Sequence, residues 1–234
     1  MKRDFVIGVL GGMGTFATIN LFEQYAEVFS AEKEWDRPRI VIDNRCTMPS
    51  RVRAFLYNEN VDQLVDEMAD SMQHLKEAGC NHIILACNTS HLFLPYIYAK
   101  VPSLQGSVIN IIETCVDRIV EDKKQDIYLL GSEGTIDSGI YQKALEKNNI
   151  KCICPQPAEY SMLRYCIEAV KQNQYSDKLK GIFLELINRY DACILGCTEL
   201  PILYKKYKED VSCMQIYDPL LISVQKMKEE YDNE

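Results

Sequence analysis

The chain repeats itself, and the repeat limits what it can fold into. The run Ile83-Ile84-Leu85-Ala86-Cys87-Asn88-Thr89 is answered by Cys193-Ile194-Leu195-Gly196-Cys197-Thr198-Glu199. Earlier, Leu10-Gly11-Gly12-Met13-Gly14-Thr15 returns as Leu130-Gly131-Ser132-Glu133-Gly134-Thr135. The offsets are 120 residues from Gly14 to Gly134 and 110 from Cys87 to Cys197, as expected of two diverged copies separated by a small insertion or deletion. If the copies face each other across a pseudo-two-fold axis, their cysteines approach one bound molecule from opposite sides.

Short β-branched runs alternate with longer amphipathic stretches, which predicts strand-helix units and a mainly parallel sheet in each half. Strands are expected near Phe5-Leu10, Arg39-Asp43, His82-Ala86, Val108-Ile109, Asp126-Leu130, Lys151-Cys154, Ala192-Leu195 and Gln215-Tyr217, four per half. The clearest helix is Val61-Ala78, with Val61, Leu64, Val65, Met68, Met72 and Leu75 on one stripe and Gly79 as its stop. Others are expected near Phe16-Glu32, Ile112-Val120, Ser138-Lys147, Tyr160-Lys171, Leu179-Tyr190 and Leu220-Tyr231. The fold class is therefore α/β, two pseudo-symmetric lobes each with a four-stranded, mainly parallel sheet flanked by helices, and a site between them. The expected division is 1–103 plus 211–234 for the first lobe, the last strand and helix returning to it, and 104–210 for the second.

With 234 residues and 47% hydrophobic content, the chain can bury one or two compact cores without staples. A net charge of −8 argues against nucleic acid and anionic membranes, whose binding needs a basic face. No uncharged run is long enough to span a bilayer. Met1-Lys2-Arg3-Asp4 leads straight into a strand without a long apolar leader, so the expectation is a cytoplasmic protein whose ten cysteines are free thiols. Cys152-Ile153-Cys154 lacks a second pair, and His74, His82 and His91 show no ligand spacing, so no metal is expected.

Ligands of open α/β sheets bind beyond the carboxyl ends of the strands, where both Cys-Thr turns fall. Each turn leads towards a helix start, whose N–H groups and dipole suit a carboxylate, with Asn88, Thr89 and Thr198 adding donors. A single free cysteine packs readily as a small hydrophobe; two in matched turns point to chemistry. The segment Gly11-Gly12-Met13-Gly14 lacks the G-x-G-x-x-G spacing and acidic partner of a dinucleotide site. Its expected use is close backbone approach to a small ligand around Met13, with Thr15 and its counterpart Thr135 near the helix starts.

Together, Gly11-Gly12-Met13-Gly14 with Ala17-Thr18, Cys87-Asn88-Thr89-Ser90-His91, Gly134-Thr135 with Ser138-Gly139 and Tyr141, and Gly196-Cys197-Thr198-Glu199 resemble the aspartate racemases of the aspartate/glutamate racemase superfamily. The likeness runs from about residue 6 to 219, and Glu199 and His91 favour the aspartate branch. It implies a racemase that uses no cofactor, often a homodimer, with Cys87 and Cys197 as acid and base. By the same resemblance Cys197 deprotonates the L-enantiomer and Cys87 the D-enantiomer. Pro49-Ser50-Arg51 resembles the family's Pro-Asp-Arg, whose Arg grips a substrate carboxylate, and Lys171 corresponds to a substrate-binding Lys. Thr15 and Ser50 depart from the family's Pro and Asp.

The expected substrate is a small acidic amino acid, aspartate first and glutamate second. Inverting Cα needs a proton removed from one face and supplied to the other, which two opposed thiols do if one starts as thiolate. Rival readings are a maleate isomerase-like or decarboxylase-like enzyme, and a catalytically silent amino-acid binding protein; the second has no need of two opposed bases.

Overall fold

The computed structural model describes residues 4–233. Met1-Lys2-Arg3 and Glu234, which the expected first lobe includes, lie outside them. In the first half the chain runs β1 (Val6–Gly11), α1 (Thr15–Val28), β2 (Arg39–Asn44), α2 (Arg51–Tyr57), α3 (Val61–Glu77), β3 (His82–Leu85), α4 (Leu94–Lys100), β4 (Val108–Ile109) and α5 (Ile111–Glu121). The second half gives β5 (Asp126–Gly131), α6 (Glu133–Asp137), α7 (Ile140–Glu146), β6 (Lys151–Ile153), α8 (Tyr160–Lys171), α9 (Asp177–Ile187), β7 (Ala192–Gly196), α10 (Leu200–Tyr207), β8 (Gln215–Tyr217) and α11 (Pro219–Asn233). The strand orders are β2-β1-β3-β4 and β6-β5-β7-β8, and every pairing is parallel. The halves are thus two copies of one topology.

Both faces of each sheet must be covered, which is why the central strands read as unbroken apolar runs. Along β1, Ile7 and Val9 join the core beneath α1, whereas Val6 and Leu10 join a second core beneath α3. The α3 stripe meets that core with Leu64, Val65, Met68, Met72 and Leu75, all buried. At about 1.5–3 kcal/mol per buried apolar side chain, that stripe holds the helix in place, and a charge at Met68 would break it. Gly79, at φ +92°, takes the left-handed conformation that ends the helix.

The sheets correct the expected lobe boundaries at two strands. β4 pairs with β3 through Ile83 and Val108, and β8 pairs with β7 through Cys193 and Ile216, so each closes its own half. The crossovers through α4 and α10 are short and return each strand beside its predecessor. Several helices join the halves: α11 packs on both α1 and α5, α5 packs on α7, and α2 packs on α6. One core cluster accordingly runs through both lobes. Among the described residues, no helix is long and apolar enough to cross a membrane.

Candidate active site

Cys87 follows β3 and Cys197 follows β7, each at the carboxyl end of the strand beside the centre of its sheet. The two turns are tied across the lobes, because the Thr198 hydroxyl donates to the Ala86 carbonyl at 3.2 Å, one residue before Cys87. Both cysteines line one narrow cavity of about 60 Å³. Met13, Arg51, Asn88, Thr89, Thr135, Lys171 and Thr198 line the same cavity, so all nine residues nominated from sequence converge there. Its volume is far below the roughly 300–1,000 Å³ of drug-sized pockets. Ser50, Val52, Ser132, Ile167 and Lys171 also line an adjoining vestibule of about 420 Å³.

The Cys87 turn is held from below. Its carbonyl accepts from the Ser90 hydroxyl at 2.7 Å and from His91 Nδ1 at 3.0 Å. The Ile111 N–H in turn donates to His91 Nε2 at 3.4 Å, which requires the neutral ring. Burial keeps it so, lowering the imidazole to about 4. Asn88 Oδ1 accepts from the buried Tyr141 hydroxyl of the second lobe at 2.6 Å, while Asn88 Nδ2 is buried with no partner. That leaves an oriented donor in the cavity wall.

The opposite wall is charged. The Cys197 thiol donates to Glu199 Oε2 at 3.0 Å, and Glu199 is only 2% exposed with Oε1 unpartnered. Burial, then the neighbouring carboxylate, push the Cys197 thiol well above its ordinary value. Burial also raises Glu199, against the pull of Lys171. Lys171 loses hydration, yet Glu199, Cys197 and Glu168 more than compensate and hold it charged. Its ammonium lies 3.0 Å from Glu168 Oε1. Arg51 donates to the Met13 carbonyl at 2.5 Å and the Pro49 carbonyl at 3.1 Å, leaving Nε buried and unpartnered. Met13 therefore positions Arg51 through its backbone.

Three hydroxyls close the floor: Thr89 lies 3.1 Å from Ser132 and 3.0 Å from Thr135, and Ser132 lies 3.0 Å from Thr135. Ser132 and Glu199 were not nominated from sequence, though both stand in the quoted repeats. Gly14 lies against Glu199. A side-chain carbon there would run into the Glu199 carboxylate, so the glycine makes room for that buried acid. Thr15 lies outside the cavity lining, with its hydroxyl 3.3 Å from Cys46 Sγ. Among the described residues no group of three His, Cys, Asp or Glu side chains is placed to hold a metal ion.

Two parallel sheets with matched thiols at a shared cavity define an amino-acid racemase of the two-lobe α/β class. The Asp/Glu/hydantoin racemase family profile matches residues 10–227, and the chain belongs to that family. It is 27% identical over 207 residues to a broad-specificity amino-acid racemase of Bacillus subtilis (strain 168), covering 83% of this chain and 86% of that one. A glutamate racemase of Aquifex pyrophilus is 26% identical over 164 residues, 67% of this chain and 61% of that relative. Among solved structures, the aspartate racemase of Picrophilus torridus superposes with a TM-score of 0.81 at 25% identity, covering 96% of this chain and 94% of that one.

Proposed function

We propose that this racemase interconverts L- and D-aspartate, with glutamate as second substrate, by a two-base mechanism in which Cys87 and Cys197 act on opposite faces of Cα. The observation that carries the reading is the shared cavity: one thiol from each lobe, with Arg51, Lys171 and the free Asn88 amide around them. Arg51 and Lys171 bind the two carboxylates. Asn88, with Thr198, supports the negative charge that spreads onto the α-carboxylate as the proton leaves.

Cys197 rests as the thiol, so it is the proton donor when Cys87 takes the α-proton of the D-enantiomer. In the other direction Cys197 must first lose its proton. Glu199, in contact and with its affinity for protons raised by burial, takes it. Cys197 then deprotonates the L-enantiomer, and Cys87 delivers a proton to the opposite face. No step calls for pyridoxal phosphate or a metal. A homodimer, implied by the family resemblance, belongs to the same reading.

A broader substrate range is the second reading, favoured by the 420 Å³ vestibule that continues the cavity past Lys171. Its cations are already paired, Arg53 with Glu59 at 2.6 Å and Arg164 with Glu133, so a longer side chain entering it need not carry charge. Incubating dialysed protein with a panel of L-amino acids, followed by chiral chromatography, separates the readings. Racemisation of aspartate and glutamate well above the rest supports the first; comparable rates for long neutral side chains support the second; no racemisation of any substrate sinks both.

A further inference from the structure

The motif Cys152-Ile153-Cys154 has no part in the racemase chemistry, and the structure gives it a distinct geometry. It lies at the carboxyl end of β6, the edge strand of the second sheet. The two sulfurs are 3.8 Å apart and both residues are partly exposed. Gln142 Nε2, held also by the Ile136 carbonyl at 2.7 Å, donates to Cys154 Sγ at 3.4 Å. Among the described residues no other two thiols hydrogen-bond one another.

We propose that Cys152 and Cys154 form a redox-active dithiol, in which Cys154 attacks a hydroperoxide and Cys152 resolves the product as an intrastrand disulfide. Three observations carry it. The sulfurs are already in contact, so only a local adjustment separates them from bonding distance. Residues two apart along extended backbone have Cα atoms roughly 6.6 Å apart, at the upper end of the 4.4–6.8 Å that disulfides span. The roles are set by Gln142: its amide donates to Cys154 and not to Cys152, so Cys154 is the sulfur better able to carry the negative charge. Contact with Cys152 first, and then the Gln142 amide, hold the Cys154 thiol below its ordinary value against burial and the Asp137 carboxylate. Of the remaining titratable neighbours, Tyr160 is tied to Asp137 at 2.8 Å, and burial keeps Tyr128 protonated. Accessible, low-pKa thiols beside a second thiol are the ones that oxidise reversibly. By contrast Cys80, Cys115, Cys166 and Cys193 are buried, and exposed Cys46 has no thiol partner.

The chemistry balances with a hydroperoxide as oxidant. The Cys154 thiolate takes the terminal peroxide oxygen, forming an S–O bond as the O–O bond breaks and hydroxide leaves, or alkoxide from an organic peroxide. The Cys152 sulfur then attacks Cys154; the S–S bond forms, the S–O bond breaks, and the departing hydroxide carries off the thiol proton as water. Two electrons pass from the dithiol to the peroxide.

The test uses the full chain treated with a small excess of hydrogen peroxide, then alkylated, digested and read by mass spectrometry. Wild type should lose two hydrogens from the peptide holding both residues, reversibly with dithiothreitol, before Cys46 is oxidised. Cys152→Ser should stop at a sulfenic acid on Cys154 that dimedone traps, and Cys154→Ser should give no adduct at position 152. Cys152→Ala removes the thiol that Cys154 touches and should slow alkylation of Cys154 by iodoacetamide at pH 7 about tenfold. Oxidation of Cys46 without a Cys152–Cys154 disulfide, dimedone capture at Cys152, or an unchanged alkylation rate would overturn the proposal. The serine variants keep the size and polarity of the thiols, so they remain informative should the alanine variant fail to fold.

Discussion

In the proposed mechanism Cys197 gives its proton to a carboxylate that is itself reluctant to be charged, and that contact governs how turnover of the L-enantiomer begins. Glu199→Gln keeps the shape of the acid but cannot take a proton. Loss of a positioned proton carrier typically costs 10²–10⁴-fold, so kcat/KM should fall about 100-fold. Because L- and D-aspartate are equal in free energy, the fall must be the same in both directions; an undiminished rate would leave Glu199 a purely structural acid. Cys87→Ser and Cys197→Ser should each abolish racemisation with circular dichroism unchanged, since a hydroxyl is a far weaker base than a thiolate; near-wild-type turnover of both enantiomers by either variant would remove the two-base assignment. Removing one partner of a buried charged contact costs about 2–5 kcal/mol, so Arg51→Ala or Lys171→Ala should lower kcat/KM for aspartate by roughly 30-fold or more. Arg53→Ala should change it little, because Arg53 is exposed and committed to Glu59. Steady-state kinetics on the three arginine and lysine variants decide the assignment, which fails if all three behave alike.

At the level of elements, the helices that follow the fourth strands carry matched devices with opposite responses to pH. Asn110 accepts from the Ile112 and Glu113 N–H groups at the start of α5, where Ile111 also donates to His91. Asp218 accepts from Leu220 and Leu221 at the start of α11 and from Gln24 at 2.6 Å. Burial lowers His91 from 6.5 to about 4, so its contribution to stability is complete above 6.5 and is lost as the pH falls towards 4. Burial raises Asp218 from 3.8 to about 6, so its contribution is complete below 3.8 and is lost as the pH rises through 6. Each window is worth about 3 kcal/mol, and over pH 4 to 6 the two nearly cancel. Asp218→Asn should therefore make stability fall more steeply than wild type between pH 6.5 and 4, and His91→Gln less steeply. Urea midpoints across that range would show it; parallel curves for all three proteins would refute it. Not every element was legible beforehand. β4 and β8 are two and three residues long, too short to show which sheet they join. The seven-residue α2 and α4 carry too few turns for a periodic stripe, although Ser50, whose hydroxyl accepts from the Arg53 N–H, was a readable cap. The helix expected from Ser138 starts after Gly139, whose φ of +67° separates α6 from α7.

The whole molecule is an acidic chain for which an acidic ligand is proposed, and the cavity is where the two can be reconciled. Arg51 and Lys171 stand there against Glu199, while most other cations lie outside, many in surface ion pairs. Alanine should consequently be a poor substrate for the wild type, since its single carboxylate leaves one of the two cations without the substrate contact that aspartate supplies; equal turnover of alanine and aspartate would remove the dicarboxylate reading. Much of this plan was written in the repeat. The strand-turn spacing of Cys87 and Cys197 fixed which ends of which strands must meet, and the amphipathic stripe of α3 fixed a layer. What the sequence could not express was contact between distant residues: that Thr198 ties to Ala86, that Tyr141 holds Asn88, and that Gly14 clears space for Glu199. The most direct test of two opposed thiols is isotopic. Unlabelled L-aspartate is incubated with dialysed enzyme in D₂O, quenched at low conversion, and its enantiomers are separated and weighed by mass spectrometry. Two bases predict D-aspartate fully deuterated at Cα while the recovered L-aspartate stays unlabelled; protium carried into the product, or equal label in both enantiomers, would contradict them.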